Sequence, residues 1–98
     1  MLKSSKFLTL TQNTEGKIMK IYDYNGKKNV CGKRVKELRK KLGISQSELA
    51  AKLQTEEINI ERDSVSRIEI GTRFVADYEI AVLCRVLKTT ADYLLGIE

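Results

Sequence analysis

Apolar side chains recur at intervals of three and four positions through residues 31–98, and this spacing predicts helices. The pattern gives five segments: about 31–42, 46–53 and 61–70, a fourth that Asp77 caps, and 91–95. The side chains that we expect in the core are Cys31, Val35, Leu38, Leu42, Leu49, Ala50, Leu53, Ile58, Ile60, Val65, Ile68, Ile80, Leu83, Cys84, Leu87, Leu94 and Leu95. The sequence therefore predicts an all-α domain of five helices.

The second and third helices are joined by a long connection. Ser45 and Glu48 form the S-x-x-E capping box that marks the start of the second helix. Gly71 ends the third, because glycine readily takes the left-handed conformation that terminates helices. Residues 54–60 fit either an added turn of the second helix or a loop.

The first 30 residues differ in character from the rest of the chain. Residues 1–18 have no helical period, and Met19, where the composition changes, is a candidate for the natural start of the protein. An Asn-Gly pair at 25–26 is a strong turn signal. We expect residues 1–30 to form an extension or arm and residues 31–98 to form the folded domain.

The composition argues against several classes of function. The chain has 98 residues, of which 42% are hydrophobic and 32% charged, as in a soluble protein with one domain. It contains no apolar run near the ~20 residues that cross a bilayer and no signal-peptide core, so we expect it in the cytoplasm. Histidine is absent, and Cys31 and Cys84 lie far apart, so we expect free thiols, no metal site and no cofactor. No catalytic or nucleotide-binding motif is present, and an enzyme is not expected.

Positive charge is concentrated in the first half of the chain. The net charge is +5, with 13 Lys/Arg and 4 Asp/Glu in residues 1–53 against 5 and 9 in residues 54–98. A basic patch attracts phosphate backbones without sequence preference. A solvated helix face is the alternative explanation for such charges, and it fits Lys40 and Lys41 taken alone.

The third helix carries candidate chemistry on its polar side. Val65 and Ile68 define its buried side, and the 3.6-residue period then places four polar side chains on an outward stripe. These are Arg62, Asp63, Ser66 and Arg67. Arginine suits bidentate contact with guanine and aspartate can accept from cytosine N4, so the stripe could read bases. A solvated face with ion pairs at helical spacing explains the same pattern equally well.

Three further side chains flank this stripe and fit contacts to DNA phosphates. Gln46 begins the second helix, where its amide and the free backbone N–H groups favour an anion. Thr72 and Arg73 follow the third helix and could hold a second phosphate. Phosphate contacts of this kind position a protein on DNA while the base contacts specify the sequence.

Three motifs together resemble a known family of DNA-binding domains. GKRVKELRKKLGISQSELAAKL, SVSRIEIGTR and TTADYLLG, in this order within residues 32–96, resemble the phage-repressor and Cro type (XRE-like) helix-turn-helix domain. The resemblance implies a compact, lambda-repressor-like bundle of five helices, whose third helix enters the major groove, usually in a two-fold dimer.

The resemblance also implies roles for single residues. It makes the outward stripe base-facing and Gln46, Thr72 and Arg73 phosphate-facing. It pairs Arg39 with Glu69 and leaves Arg39 near the DNA backbone. Tyr93, Leu94 and Leu95 would supply core and dimer contacts in the last helix.

The chain departs from this family in two places. Leu53 and Val65 lie twelve positions apart, about five more than the 3–4-residue turn of the motif requires. The added segment brings Glu56 and Glu57 near a surface that should meet phosphates. Ile70 stands where the family commonly has a polar residue.

Two functions remain as hypotheses. The first is a sequence-specific transcriptional regulator, a repressor that binds a palindromic site in double-stranded DNA as a homodimer. The alternative is a protein-interaction module, such as an antitoxin-like or accessory helical domain, and the acidic segment and the arm motivate it. The two roles can coexist in one protein.

Overall fold

The computed structural model describes residues 24–97, and these residues contain five α-helices. They are α1 (Gly32–Lys41), α2 (Gln46–Thr55), α3 (Arg62–Ile70), α4 (Asp77–Leu87) and α5 (Ala91–Leu95). The described part of the chain has no strand beyond one isolated bridge, which confirms the all-α fold class. The expectations for residues 1–18 and for Met19 lie outside the described residues.

Local capping signals fix several helix ends. Ser45 Oγ accepts from the Glu48 N–H at 3.0 Å, and Glu48 Oε1 accepts from the Ser45 N–H at 2.7 Å, which completes the capping box. Gly71 ends α3 in the left-handed conformation, with φ at 87°. The predicted cap of α4 is wrong by one residue. Asp77 is already helical, and the N-cap is Ala76, whose N–H donates to Glu79.

The core lies between the five helices and contains most of the predicted side chains. Its fully buried members include Val35, Leu49, Leu83 and Leu94. The largest difference is Leu42: as the C-cap of α1 it keeps helical φ and ψ values, but at this end of the helix its side chain is 42% exposed. The other differences are smaller: Leu38, Ile80 and Cys84 are half-buried, Leu95 is exposed, and Val82 is buried without having been predicted.

The connection between α2 and α3 spans Glu56–Glu61, after α2 has added two residues to its predicted length. Ile58 and Ile60 are buried within it and attach it to the core. Gln54 Nε2 donates to the Ile60 carbonyl at 2.7 Å, and Arg85 on α4 donates to Glu56 Oε1 at 3.0 Å. The connection is therefore tied to the helices on both of its sides.

A short hairpin precedes α1 and packs on the end of α3. Tyr24 and Lys27 form an antiparallel bridge around Asn25 and Gly26, which have φ values of 53° and 79°. Positive φ at both central residues is typical of a type I′ turn, for which Asn-Gly is the favoured pair. We call residues 24–30, which follow the bridge into α1, the hairpin segment.

Candidate nucleic-acid interface

The outward stripe of α3 lies on the side of the helix opposite its buried residues. Val65 and Ile68 are each 1% exposed and pack in the core. Three of the four stripe residues are exposed, and Ser66 is partly buried. The side chains of Arg62 and Asp63 are 56% and 67% exposed and form an ion pair at 3.0 Å. The stripe thus offers two guanidinium groups, a carboxylate and a hydroxyl on one accessible face.

A buried ion pair connects α3 to α1. Arg39 donates to Glu69 through Nε at 2.6 Å and through Nη2 at 3.1 Å, and the two side chains are only 10% and 1% exposed. Arg39 Nη1 also donates to the Ile44 carbonyl at 2.9 Å. The hydrogen bonds to Glu69 raise the pKa of Arg39, so its charge persists in this buried place. Three of its five N–H donors are occupied within the protein.

Gln46 extends this pair to the start of the stripe. Its Nε2 donates to Glu69 Oε1 at 3.0 Å, and its Oε1 accepts from Arg62 Nη1 at 3.1 Å. The sequence indicated Gln46 only as a phosphate ligand, yet its side chain bridges the buried carboxylate and the first arginine of the stripe. Arg39, Glu69, Gln46 and Arg62 form a continuous chain of hydrogen bonds, which we call the polar network.

The two candidate phosphate ligands that follow α3, Thr72 and Arg73, are held by different partners. Thr72 remains exposed, and its Oγ1 donates to the Arg67 carbonyl in a long hydrogen bond of 3.4 Å. Arg73 turns towards α4, where its Nη1 and Nη2 donate to Glu79 at 3.0 and 3.1 Å. Burial alone would raise the pKa of Glu79, but the hydrogen bonds from Arg73 and Ala76 and the charge of Arg73 lower it overall.

Comparison with known families gives a match to the helical part of the chain. A family model described as a helix-turn-helix domain matches residues 31–94. The chain belongs to the helix-turn-helix domain family. This agrees with the XRE-like resemblance of the sequence, and a helix-turn-helix domain indicates a DNA-binding regulator. No curated protein and no solved structure matches the chain.

The hairpin segment caps the C-terminal end of α3. The last carbonyls of a helix lack intrahelical partners. Here Lys27 Nζ donates to the Ile70 carbonyl at 3.1 Å, and the Lys28 N–H donates to the Gly71 carbonyl at 2.7 Å. The Asn29 amide donates to the Ile68 carbonyl at 3.1 Å. The α3 helix is therefore held at its C-terminal end by residues that precede α1.

Asn29 is a structural residue that the sequence did not reveal. Its Nδ2 also donates to the Arg73 carbonyl at 2.8 Å, and its Oδ1 accepts from the Gly32 N–H at 2.8 Å. The only sequence signal was an asparagine just before a helix, a residue type that often caps the backbone N–H groups there. The backbones of α1 and α3 approach closely next to this residue, and a Cβ on Gly32 would collide with the Ile68 carbonyl.

Other classes of site have no support in the described residues. Residues 24–97 contain no group of three His, Cys, Asp or Glu side chains that could hold a metal ion. None of the helices described is long and apolar enough to cross a membrane. The two cysteines are free, Cys31 buried and Cys84 partly so. Burial raises the pKa of Cys31 to about 11.

Proposed function

We propose that this protein is a sequence-specific transcriptional repressor, which binds a palindromic operator as a homodimer and inserts α3 into the major groove. The observation that carries the proposal is the outward stripe on a helix whose other side is buried. Helix-turn-helix dimers contact two half-sites about one helical turn, ~34 Å, apart. We expect the protein to act in the cytoplasm.

The base contacts would come from the stripe. Arg62 and Arg67 would donate to the O6 and N7 atoms of guanine, and Asp63 would accept from cytosine N4. The Ser66 hydroxyl would donate or accept one further hydrogen bond. In the free protein Arg62 is bound by Gln46 and Asp63. Exposed ion pairs contribute little to stability, so Arg62 can exchange Asp63 for a base edge at small cost.

The phosphate contacts would lie at the two ends of the helix-turn-helix unit. Gln46 and the free N–H groups that begin α2 would hold one phosphate, and Thr72 would hold another. Arg39 and Arg73 would add charge from their unoccupied N–H donors while they keep their carboxylate partners. Because these partners already fix the guanidinium groups, the phosphate would meet donors of defined position.

The dimer contact would use the exposed apolar end of the chain. Tyr93, which the resemblance implied for this role, is engaged within the molecule, since its hydroxyl donates to Glu37 and Arg34 lies over its ring at 5.2 Å. Leu95 and Ile97 beside it are 36% and 67% exposed. These two side chains would be available to a second copy.

The test begins with selection of binding sites from a random DNA pool at moderate salt, followed by gel-shift titration. Arg62→Ala and Arg67→Ala should each weaken binding to the selected site by about 10- to 100-fold, the range for loss of a bidentate base contact. Arg85→Ala is the matched control, because this arginine is also exposed and paired with a carboxylate but lies on α4. The proposal fails if no site is enriched, or if both stripe variants bind as the wild type does.

A protein partner is the second candidate, and the connection between α2 and α3 favours it. Glu56, Glu57 and Glu61 are exposed there and form an acidic surface that DNA would not attract. Deleting residues 54–60 would remove the buried Ile58 and would therefore test folding rather than binding. A better test is to purify the native complex and the Glu57→Ala variant. A stoichiometric partner that only the variant loses would favour this function.

A further inference from the structure

The last turn of α3 exposes a large apolar side chain. Ile70 is 55% exposed and follows Arg67 by three positions and Ser66 by four. Residues at these spacings share one face of a helix, so Ile70 continues the outward stripe. A single exposed isoleucine is common on protein surfaces, and its position alone would carry no argument.

The hairpin segment gives Ile70 apolar neighbours. Tyr24 and Val30, which are 65% and 45% exposed, line with Ile70 and Gly71 an open depression of about 440 Å³. We call this depression the apolar hollow. Three large apolar side chains thus line one depression at the C-terminal end of the stripe, where α3 by itself would present only Ile70.

The hollow is held in place by the backbone around it. Lys27 Nζ donates to the Ile70 carbonyl, and the Lys28 N–H donates to the Gly71 carbonyl. A Cβ on Gly71 would lie 2.5 Å from Lys27 Cδ, so the hairpin segment packs directly on the end of α3. The position of Ile70 relative to the stripe is therefore defined before DNA binds.

The charge around the hollow suits DNA. Lys27 and Lys33 line it, and residues 24–36 contain five Lys/Arg and no Asp or Glu. Glu69 also lines it, but this carboxylate already accepts hydrogen bonds from Arg39 and Gln46. An apolar surface with a basic rim, continuous with a base-reading stripe, matches the major groove between its two phosphate backbones.

We propose that Ile70 and the apolar hollow receive the C5-methyl group of a thymine, at a base pair beyond the one that Arg67 contacts. The thymine methyl is the apolar group that the base pairs present in the major groove. Ile70 would then be a specificity-determining residue, which selects thymine by burying its methyl group. The proposal rests on the proposed function, because it requires α3 to lie in that groove.

The test replaces thymine by deoxyuridine, which lacks only the methyl group, at each thymine of the selected site in turn. Wild-type protein should bind about fourfold more weakly when one particular thymine in either half-site is replaced, the factor that corresponds to ~0.8 kcal/mol for one buried methyl group. Ile70→Ala should bind both DNAs equally. Tyr78→Ala is the matched control, since it removes a large side chain that is 62% exposed on α4, outside the stripe, the hollow and the proposed dimer contact, and it should keep the fourfold difference.

The outcomes separate this proposal from the proposed function. If a site is selected but no deoxyuridine replacement weakens binding, α3 still reads DNA and the methyl contact is wrong. If Ile70→Ala keeps the wild-type ratio at the sensitive position, another residue receives the methyl group and the proposal is also overturned. If no site is selected at all, the proposed function has failed and this inference fails with it. If Ile70→Ala no longer binds a protein partner while its DNA binding is unchanged, the apolar hollow binds a protein and not a thymine.

Discussion

Removal of Glu69 should show how much the buried ion pair contributes to this domain. Glu69→Ala leaves Arg39 buried without its carboxylate and removes the acceptor of the Gln46 amide. Breaking a buried pair by removing one partner typically costs ~3–5 kcal/mol, because the remaining charge is desolvated and uncompensated. Domains of this size are stable by only ~5–15 kcal/mol, so the change would be a large fraction of the total.

The measurement is unfolding by urea and by heat, followed by circular dichroism. A loss of at least 3 kcal/mol should lower the melting temperature by roughly 12 °C or more, at ~4 °C per kcal/mol. The double variant Arg39→Met with Glu69→Leu replaces both charges by apolar groups, and such replacements are often neutral or stabilising. We therefore expect the double variant to recover most of the loss that Glu69→Ala causes.

Two comparisons would refute this reasoning. The pair between Arg85 and Glu56 is exposed, with side chains 61% and 37% accessible, and Glu56→Ala should cost no more than ~1 kcal/mol. If Glu69→Ala lowers the free energy of unfolding as little as Glu56→Ala does, burial of the Arg39–Glu69 pair does not increase its contribution to stability. If the double variant is no more stable than Glu69→Ala, the loss comes from packing rather than from an unpaired charge.

Further predictions concern single residues. Asn29→Ala should lower the free energy of unfolding by ~1–3 kcal/mol, because it removes three hydrogen bonds around α3, and urea titration showing no loss would contradict this. Lys88 ends α4 at a φ of 59°, so Lys88→Gly should stabilise the domain by ~1 kcal/mol in thermal melts, whereas Lys88→Ala should not. The lowered pKa of Glu79 means that the unfolded chain binds the proton first as the pH falls below 4.5. The free energy of unfolding should therefore decrease as the pH falls from 4.5 and past the pKa that Glu79 has in the folded protein. Glu79→Gln should make this free energy less dependent on pH in the same range. Iodoacetamide should label Cys84 first, because Cys31 is 1% exposed and its pKa is about 11; equal rates would show that the core opens readily.

The helix ends could be predicted because their signals are local. The capping box of Ser45 and the left-handed Gly71 both involve partners within four positions. The core also followed from spacing, since a helix buries the same face wherever it packs. Leu42 shows the limit of this argument: its spacing is correct and its backbone is still helical, but at the C-cap of α1 its side chain is 42% exposed.

The supports of the candidate site could not be predicted, because they join distant parts of the chain. Asn29 contacts carbonyls 39 and 44 positions away, and nothing near it in sequence indicates either partner. Gln46 was expected to face phosphate because it begins a helix. Its bridge between Glu69 and Arg62 depends on how α2 crosses α3, which only the folded structure defines.

The long connection between α2 and α3 is compatible with a firmly held α3. A tight turn sets the angle between two helices through the geometry of its few residues, and six residues cannot do this alone. Here the polar network fixes the start of α2 against both ends of α3, through Gln46 to Arg62 and through Gln46 to Glu69. Ile58 and Ile60 hold the connection to the core from the other side. The angle is therefore set by contacts that do not depend on the length of the connection, which explains how the chain can carry an acidic insertion there and still present α3 outward.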